Sequence, residues 1–189
     1  MKEARTVYFD QSGDSCTRLT LELTAQKAKD KDIGKVLVAS TSGETGLMAM
    51  DIITEAKIIV VTHSFGFKTI NQQEFKPEHR EAIEGRGGII LTCMHAFGGI
   101  GRAVRKKLAS YQLEEIIAHT LRTFGEGTKV CFEMTLMAAD AGIVNQGENI
   151  IAVAGTNSGA DTAMVIKAAN AQSFFDLRVQ EIICKPLFV

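Results

Sequence analysis

Five short apolar runs recur along the chain, and each is apolar on consecutive positions rather than on alternate ones. They cover residues 36–39, 58–61, 89–92, 130–132 and 150–153. A strand buried on both faces of a parallel sheet has this pattern, whereas a half-exposed strand alternates apolar and polar residues. The runs therefore predict five strands of a mainly parallel sheet.

Helical patterns separate most of these runs. Capping residues and apolar spacing predict helices over residues 14–30 and 47–54, and Pro77 suits the first position of a short helix over residues 77–85. An amphipathic stripe over residues 113–124, followed by Gly125, predicts another helix whose apolar face packs in the core.

Residues 177–182 alternate instead, which indicates a half-exposed strand at a sheet edge, antiparallel to its neighbour. Strands that alternate with helices are typical of an α/β protein. The prediction is a three-layer α/β/α fold with a mainly parallel sheet and an antiparallel edge.

Length and composition favour one domain over residues 1–189, because a core splits only above roughly 250 residues. Apolar residues make up 46% of the chain, but no run approaches the ~20 needed to cross a bilayer. The first ten residues carry Lys2, Glu3 and Arg5 and lack the apolar stretch of a signal peptide. We therefore expect a cytoplasmic protein that does not contact a membrane.

Charge and cysteine content further limit the classes of partner that the chain is expected to bind. The 21 basic residues nearly balance the 22 acidic ones, whereas nucleic-acid binders usually carry a basic surplus. The basic cluster over residues 102–107 is interpreted as the solvated face of a helix. The four cysteines form no CxxC pair, which predicts reduced thiols rather than a disulfide or zinc site. No metal site is predicted. The expected partners are a small molecule and a possible second copy of the chain, which could pair along the last strand.

The loop that follows the first predicted strand, residues 40–46, combines hydroxyl groups and two glycines and leads directly into a helix. Free N–H groups and the positive dipole end of a helix bind phosphate well. The loop is not a Walker A motif, because the Gly-Lys-Ser/Thr ending is missing. It is either an anion cradle or simply a capped strand–helix turn. A second loop with similar residues, 155–162, favours a phosphate or polyol ligand, although a surface turn capped by Asp161 is the alternative.

Two further strands end in the same short pattern of His, any residue, Phe and Gly. His63 and Phe65 follow the second strand, and His95 and Phe97 follow the third. In open α/β sheets ligands lie beyond the carboxyl ends of the strands, so both rings are expected in one crevice. They can bind a ligand, transfer protons or serve as structural residues. Glu133 is either a general acid or base, or half of a salt bridge, whereas His79 and His119 look like helix-surface residues.

Fifteen residues are predicted to contact the ligand, and catalytic residues remain unassigned. They are Ser40, Thr41, Ser42, Gly43, Thr45, Gly46, His63, Phe65, Gly66, His95, Gly155, Thr156, Asn157, Gly159 and Thr162.

Residues 35–46 (KVLVASTSGETG) and 147–156 (GENIIAVAGT) resemble the C-terminal α/β domain of pyruvate kinase, most closely a stand-alone archaeal group of such domains. The resemblance implies a flavin mononucleotide (FMN) whose phosphate lies in the Thr41–Gly46 loop. Pyruvate kinase catalysis belongs to a separate barrel domain, so that activity is not implied. A Lys commonly present in the phosphate loop is replaced here by Glu44, which favours a ligand with one phosphate.

Three functions therefore stay open. The first is an FMN-binding protein in which His63, Phe65, His95 and Phe97 border the flavin ring. The second is a non-catalytic sensor or regulatory module for a sugar phosphate. The third is an enzyme that acts on a phosphorylated metabolite through His63, His95 or Glu133.

Overall fold

The computed structural model describes residue 1 and residues 3–187. The strands are β1 (Val7–Phe9), β2 (Lys35–Ala39), β3 (Lys57–Val61), β4 (Ile89–Leu91), β5 (Asn149–Ala154), β6 (Thr162–Lys167) and β7 (Arg178–Pro186). The helices are α1 (Thr17–Lys31), α2 (Glu44–Ile52), α3 (Pro77–Gly85), α4 (Ile100–Leu108), α5 (Leu113–Arg122) and α6 (Glu126–Asp140). Short 3-10 helices at Asp14–Cys16 and Ala171–Asp176 complete the described elements.

The seven strands form one sheet in the order β1-β7-β6-β5-β2-β3-β4. β6 runs antiparallel to both β5 and β7, and the other described pairings are parallel. The predicted α/β class with a mainly parallel, mixed sheet is confirmed. The antiparallel strand itself lies inside the sheet. β7, predicted at an edge, is second from the edge because β1 pairs with it.

Alternate residues of the central strands enter two separate cores. Val36 and Val38 of β2 face the layer of α1, α2 and α3. Leu37 between them faces the layer that contains α6, with α5 packed behind it. Both faces of the sheet are thus buried, which explains the consecutive apolar residues in the sequence.

The predicted strand over residues 130–132 is wrong, because these residues lie in the middle of α6. α6 packs between the sheet and α5, and most of its residues are buried. A helix that is buried nearly all round lacks a polar face, so a short apolar window cannot distinguish it from a strand.

The bounds of the predicted helices are confirmed to within a few residues, and α4 carries the basic cluster at residues 102–107. The apolar stripe of α5 was expected to pack in the core, but Leu113, Ile116 and Phe124 are exposed. Only Ile117 and Leu121 of this stripe pack against the core. Strands β1 and β6 were missed by the sequence analysis. β6 begins at Thr162, directly after the glycine-rich loop, so its first residue was assigned to that loop. The four cysteines are free, and Cys16, Cys131 and Cys184 are buried.

Gly46 and Gly85 provide a matched pair of helical glycines for a test of the packing. A Cβ at Gly46 would lie 2.8 Å from Val60 Cγ2, whereas one at Gly85 would meet nothing within 4 Å. We expect Gly46→Ala to destabilise the protein by about 1–3 kcal/mol through overpacking. Gly85→Ala should be neutral or stabilise by up to about 1 kcal/mol, since Ala favours helix. Urea unfolding of both variants measures this, and equal effects would contradict the close packing of α2 on β3.

Candidate functional site

A cavity of about 590 Å³ lies beyond the carboxyl ends of β2, β3 and β5. The loop over residues 40–45 forms one wall, and α6 contributes another. His63 and His95, which follow β3 and β4, both line it. The position is the one expected for a ligand site in an open α/β sheet.

The loop before α2, which forms one wall of the cavity, is held by hydrogen bonds within the loop. The hydroxyl of Ser40 accepts hydrogen bonds from the N–H groups of Gly43 at 3.1 Å and Gly46 at 3.4 Å. Gly43 has φ 100°, and a Cβ there would lie 2.6 Å from the Cβ of His79. Glycine is therefore required at this turn, both for its conformation and for the close approach of α3.

His79 supports this loop from behind, which corrects its interpretation as a plain surface residue. Its Nδ1 lies 2.8 Å from the carbonyl oxygen of Ser42, and the N–H of Lys76 donates to the same oxygen at 3.1 Å. Since a carbonyl only accepts, Nδ1 of His79 carries a proton.

The loop leaves three N–H groups available. Within the described residues, the N–H groups of Thr41, Ser42 and Thr45 have no hydrogen-bond acceptor, and all three residues line the cavity. They lie at the amino terminus of α2, where the helix dipole adds positive potential. The arrangement can bind an anion. These three residues and Ser40 are called the anion cradle.

The β5–β6 loop faces the cavity through Gly155, Asn157, Ser158 and Gly159. It is fixed by Asp161, which is 0% exposed and whose carboxylate accepts hydrogen bonds. The donors are the N–H of Gly13 at 2.9 Å, the N–H of Thr156 at 3.0 Å and the hydroxyl of Thr162 at 2.7 Å. Asp161 thus joins this loop to the amino-terminal segment.

Of the fifteen predicted residues, nine line the cavity and six do not. The nine are Ser40, Thr41, Ser42, Thr45, His63, His95, Gly155, Asn157 and Gly159; the six are Gly43, Gly46, Phe65, Gly66, Thr156 and Thr162. The glycines Gly43 and Gly46 act by shaping the loop, whereas Thr156 and Thr162 belong to the contacts of Asp161.

The two histidines lie together, as expected, but neither predicted phenylalanine accompanies them. The His63 and His95 ring centroids are 5.6 Å apart, and Phe67 stacks on His63 at 4.0 Å and on His95 at 4.8 Å. Phe65 is 63% exposed, and Phe97 is buried in the core beside α6. The repeated His-x-Phe motif thus placed both histidines at one cavity, whereas the ring stacked on them belongs to Phe67 rather than to Phe65 or Phe97.

Hydrogen bonds distinguish the two histidines. His63 Nδ1 lies 2.7 Å from Glu74 Oε2, and its Nε2 has no partner among the described residues. His95 Nε2 accepts the N–H of Ser64 at 3.3 Å, so its proton is on Nδ1, which faces Glu133 Oε2 at 3.6 Å. Both nitrogens of His95 are thus engaged, whereas one nitrogen of His63 is free.

Glu133 forms a buried ion pair with Lys129. Lys129 Nζ lies 2.5 Å from Glu133 Oε2, and the N–H of Phe97 donates to Oε1 at 3.0 Å. Burial alone would raise the pKa of the Glu133 carboxyl, but its interactions with His95 and Lys129 outweigh burial and lower that pKa to about 2. The distance of 3.6 Å between His95 Nδ1 and Glu133 Oε2 is longer than a normal hydrogen bond. We therefore attribute most of the lowering of the Glu133 pKa to Lys129. The carboxylate is ionised at neutral pH, which favours the salt-bridge interpretation over a general acid.

Arginines and a lysine line the side of the cavity formed by α4, α5 and α6. Arg122 pairs with Glu126 at 2.6 Å, and Lys129 pairs with Glu133. Arg102 forms no salt bridge within the described part of the chain, and its guanidinium lies 4.8 Å from the Phe67 ring centroid. Arg102 was missed because its sequence neighbours indicated only a solvated helix face.

The described ranges, 1 and 3–187, contain neither a candidate metal cluster nor a membrane-spanning helix. No group of three His, Cys, Asp or Glu residues there is arranged to hold a metal ion. None of the helices in these ranges combines the length and apolar character needed to cross a membrane.

Comparison with known proteins assigns a family to this fold. The family model for the pyruvate kinase alpha/beta domain matches residues 19–166. The chain belongs to this family. The resemblance noted in the sequence is thereby confirmed, and the match includes both the anion cradle and the β5–β6 loop.

Solved structures similar to this member of the pyruvate kinase alpha/beta domain family include pyruvate kinases from Cryptosporidium parvum. One is 14% identical with a TM-score of 0.44, and it matches 80% of this chain and 22% of its own length. A Cryptosporidium parvum pyruvate kinase in complex with ADP is 15% identical with a TM-score of 0.44, and the match covers 80% of this chain and 23% of that one. A third Cryptosporidium parvum pyruvate kinase structure is 14% identical with a TM-score of 0.39, and the match covers 79% of this chain and 22% of that one. The chain thus spans less than a quarter of the length of these enzymes.

The buried pair predicts a pH-dependent stability. We expect Glu133→Gln to destabilise the protein by about 3–5 kcal/mol at pH 7, because Lys129 is left buried without its partner. Since the pKa of Glu133 is depressed when folded, the pair contributes stability above the ordinary value of 4.5, and this is lost as pH falls toward about 2.

Urea unfolding of wild type and variant between neutral and acidic pH measures this difference. Glu22→Gln, which removes the exposed pair with Arg18, is the control and should change stability by at most about 1 kcal/mol. A Glu133→Gln effect that stays constant with pH would contradict the assignment.

Proposed function

We propose that this protein binds a phosphate-bearing small molecule in the cavity, and that FMN is the ligand. The observation that carries the proposal is the anion cradle, with three N–H groups beside a helix amino terminus that have no acceptor among the described residues. A phosphate accepts hydrogen bonds from several such donors at once, and the helix dipole stabilises its charge.

The size and lining of the cavity support a ligand as large as a mononucleotide. About 590 Å³ lies within the range of roughly 300–1,000 Å³ usual for small-molecule sites. Hydroxyl and amide groups of Ser42, Asn157 and Ser158 can bind a polyol chain. The stacked rings of His63, Phe67 and His95 offer a surface for a flat ring system.

Charge at the cradle agrees with a single phosphate. Glu44, at the start of α2, pairs with Lys76 at 2.7 Å, and this hydrogen bond and the lysine charge lower the pKa of the Glu44 carboxyl. The pair is neutral overall, so Glu44 does not by itself repel an anion. Arg102 supplies one positive charge without a carboxylate partner in the described residues. When bound, FMN would supply the redox chemistry, and the protein would orient its ring.

A substitution at the cradle separates phosphate binding from folding. Thr45→Asp places a carboxylate in the first turn of α2, where negative charge favours the helix but repels a phosphate. We expect the variant to remain as stable as wild type and to bind FMN at least about tenfold more weakly. Flavin absorbance and fluorescence titration measure the affinity.

Riboflavin, which lacks the phosphate, and Thr45→Ser, which keeps the hydroxyl, are the matched controls. Riboflavin should bind wild type and Thr45→Asp alike, and Thr45→Ser should bind FMN like wild type. A wild-type protein that does not bind FMN overturns the flavin proposal. Sugar phosphates screened by thermal stability would then test the broader phosphate-binding proposal.

A further inference from the structure

His63 is the one histidine at the cavity whose second nitrogen is free of partners within the described residues. Its ring lines the cavity, and Glu74 contacts only Nδ1. A carboxylate accepts a hydrogen bond, so the proton of the neutral ring resides on Nδ1 and the lone pair on Nε2. An imidazole oriented in this way is a nucleophile as well as a base.

The loop that carries Glu74 is fixed to the backbone of His63. Gln73 donates through Nε2 to the carbonyl oxygen of His63 at 3.0 Å and accepts the N–H of Glu74 at 2.7 Å. The hydroxyl of Thr62 donates to the same carbonyl at 2.8 Å. These contacts hold Glu74 next to Nδ1 of His63 and leave Nε2 without a partner among the described residues.

The sheet places His63 after the strand next to the anion cradle. Ala39 of β2 lies opposite Val61 of β3, and the N–H of Ser40 donates to the carbonyl of Val61 at 3.1 Å. Neighbouring strands lie about 4.8 Å apart, so His63, two residues after Val61, follows the strand next to the cradle. The cradle residues and His63 also line the same cavity, so a phosphoryl group bound by the cradle lies in the cavity that His63 borders.

The geometry points to His63 as a phosphoryl acceptor, with Glu74 as its positioning residue and a small acyl phosphate as the class of donor. The inference rests on the phosphate-binding part of the proposed function, but not on FMN. Nε2 forms a bond to phosphorus, the bond from phosphorus to the leaving group breaks, and the leaving group departs with that electron pair. From acetyl phosphate it departs as acetate. The proton stays on Nδ1, where the Glu74 carboxylate stabilises the positive ring.

A positive group on the opposite wall suits this transfer. Arg102, which has no carboxylate partner among the described residues, lies over Phe67, and Phe67 stacks on His63. Cations near a transferring phosphoryl group stabilise its charge. His95 provides an internal comparison, because both of its nitrogens are engaged and it should not react.

The experiment is incubation of the protein, residues 1–189, with acetyl phosphate, followed by intact mass and peptide mapping under alkaline conditions, where phosphohistidine survives. We expect one acid-labile phosphoryl group on His63 of the wild-type protein. His63→Asn should abolish it, and His119→Asn, which changes an exposed histidine of α5, should leave it unchanged. Thr45→Asp should reduce the phosphorylation of His63, since the added carboxylate repels the donor phosphate from the anion cradle.

Glu74→Gln tests the positioning role. The rate should fall roughly 10- to 100-fold, as for other partners that fix a histidine tautomer. Nitrogen chemical shifts of the His63 ring should show the Nδ1–H tautomer in the wild type and a mixture in Glu74→Gln, a change that a purely structural role would not produce.

Absence of phosphohistidine, or its appearance on His79, His95 or His119 instead, would overturn the inference. Mapping on the wild-type protein gives this answer even if a variant does not fold. FMN titration of the same preparation separates the two proposals. FMN binding without phosphohistidine removes only this inference, whereas phosphohistidine at His63 without FMN binding removes only the flavin.

Discussion

The parallel pairing of β2 with β3 positions most of the candidate site. Because Ala39 lies opposite Val61, both strands end at the same level of the sheet. The chain then turns into the anion cradle on one strand and toward His63 on the next. Parallel strands bring their carboxyl ends to one edge, so residues about twenty positions apart in sequence meet there. A shift of one residue in this register would also turn the apolar side chains to opposite cores.

Burial of both sheet faces imposes a second constraint, on α6. This helix packs directly on the sheet, so few of its side chains reach water. Its two buried charged residues at the cavity, Lys129 and Glu133, are accommodated by pairing with each other. The pair contacts the backbone of Phe97 and faces His95, which connects the helix layer to the loop after β4. A buried charge requires such compensation, because desolvation would otherwise oppose ionisation.

Two histidines in nearly identical sequence contexts differ in chemistry for reasons that lie in their partners. The nitrogens of His95 face the N–H of Ser64 and the carboxylate of Glu133. His63 has a carboxylate on one nitrogen and the cavity on the other side. Available lone pairs, rather than residue type, determine which ring can react. Residues of the hydroxyl-rich β5–β6 loop likewise have two different roles. Asn157 and Ser158 line the cavity, whereas Thr156 and Thr162 donate hydrogen bonds to the buried Asp161.

Sequence alone determined the α/β class, most of the strands and the two loops at the cavity, because consecutive apolar runs and Gly-Ser-Thr turns are local signals. It could not separate the buried helix α6 from a strand, since a helix without a polar face has no visible period over three residues. Only the tertiary structure decided that β6 runs against its neighbours, that Phe67 replaces Phe65 beside the histidines, and that Arg102 reaches the cavity. These features depend on contacts between segments distant in sequence, and neither spacing nor composition encodes which of several equivalent side chains makes them.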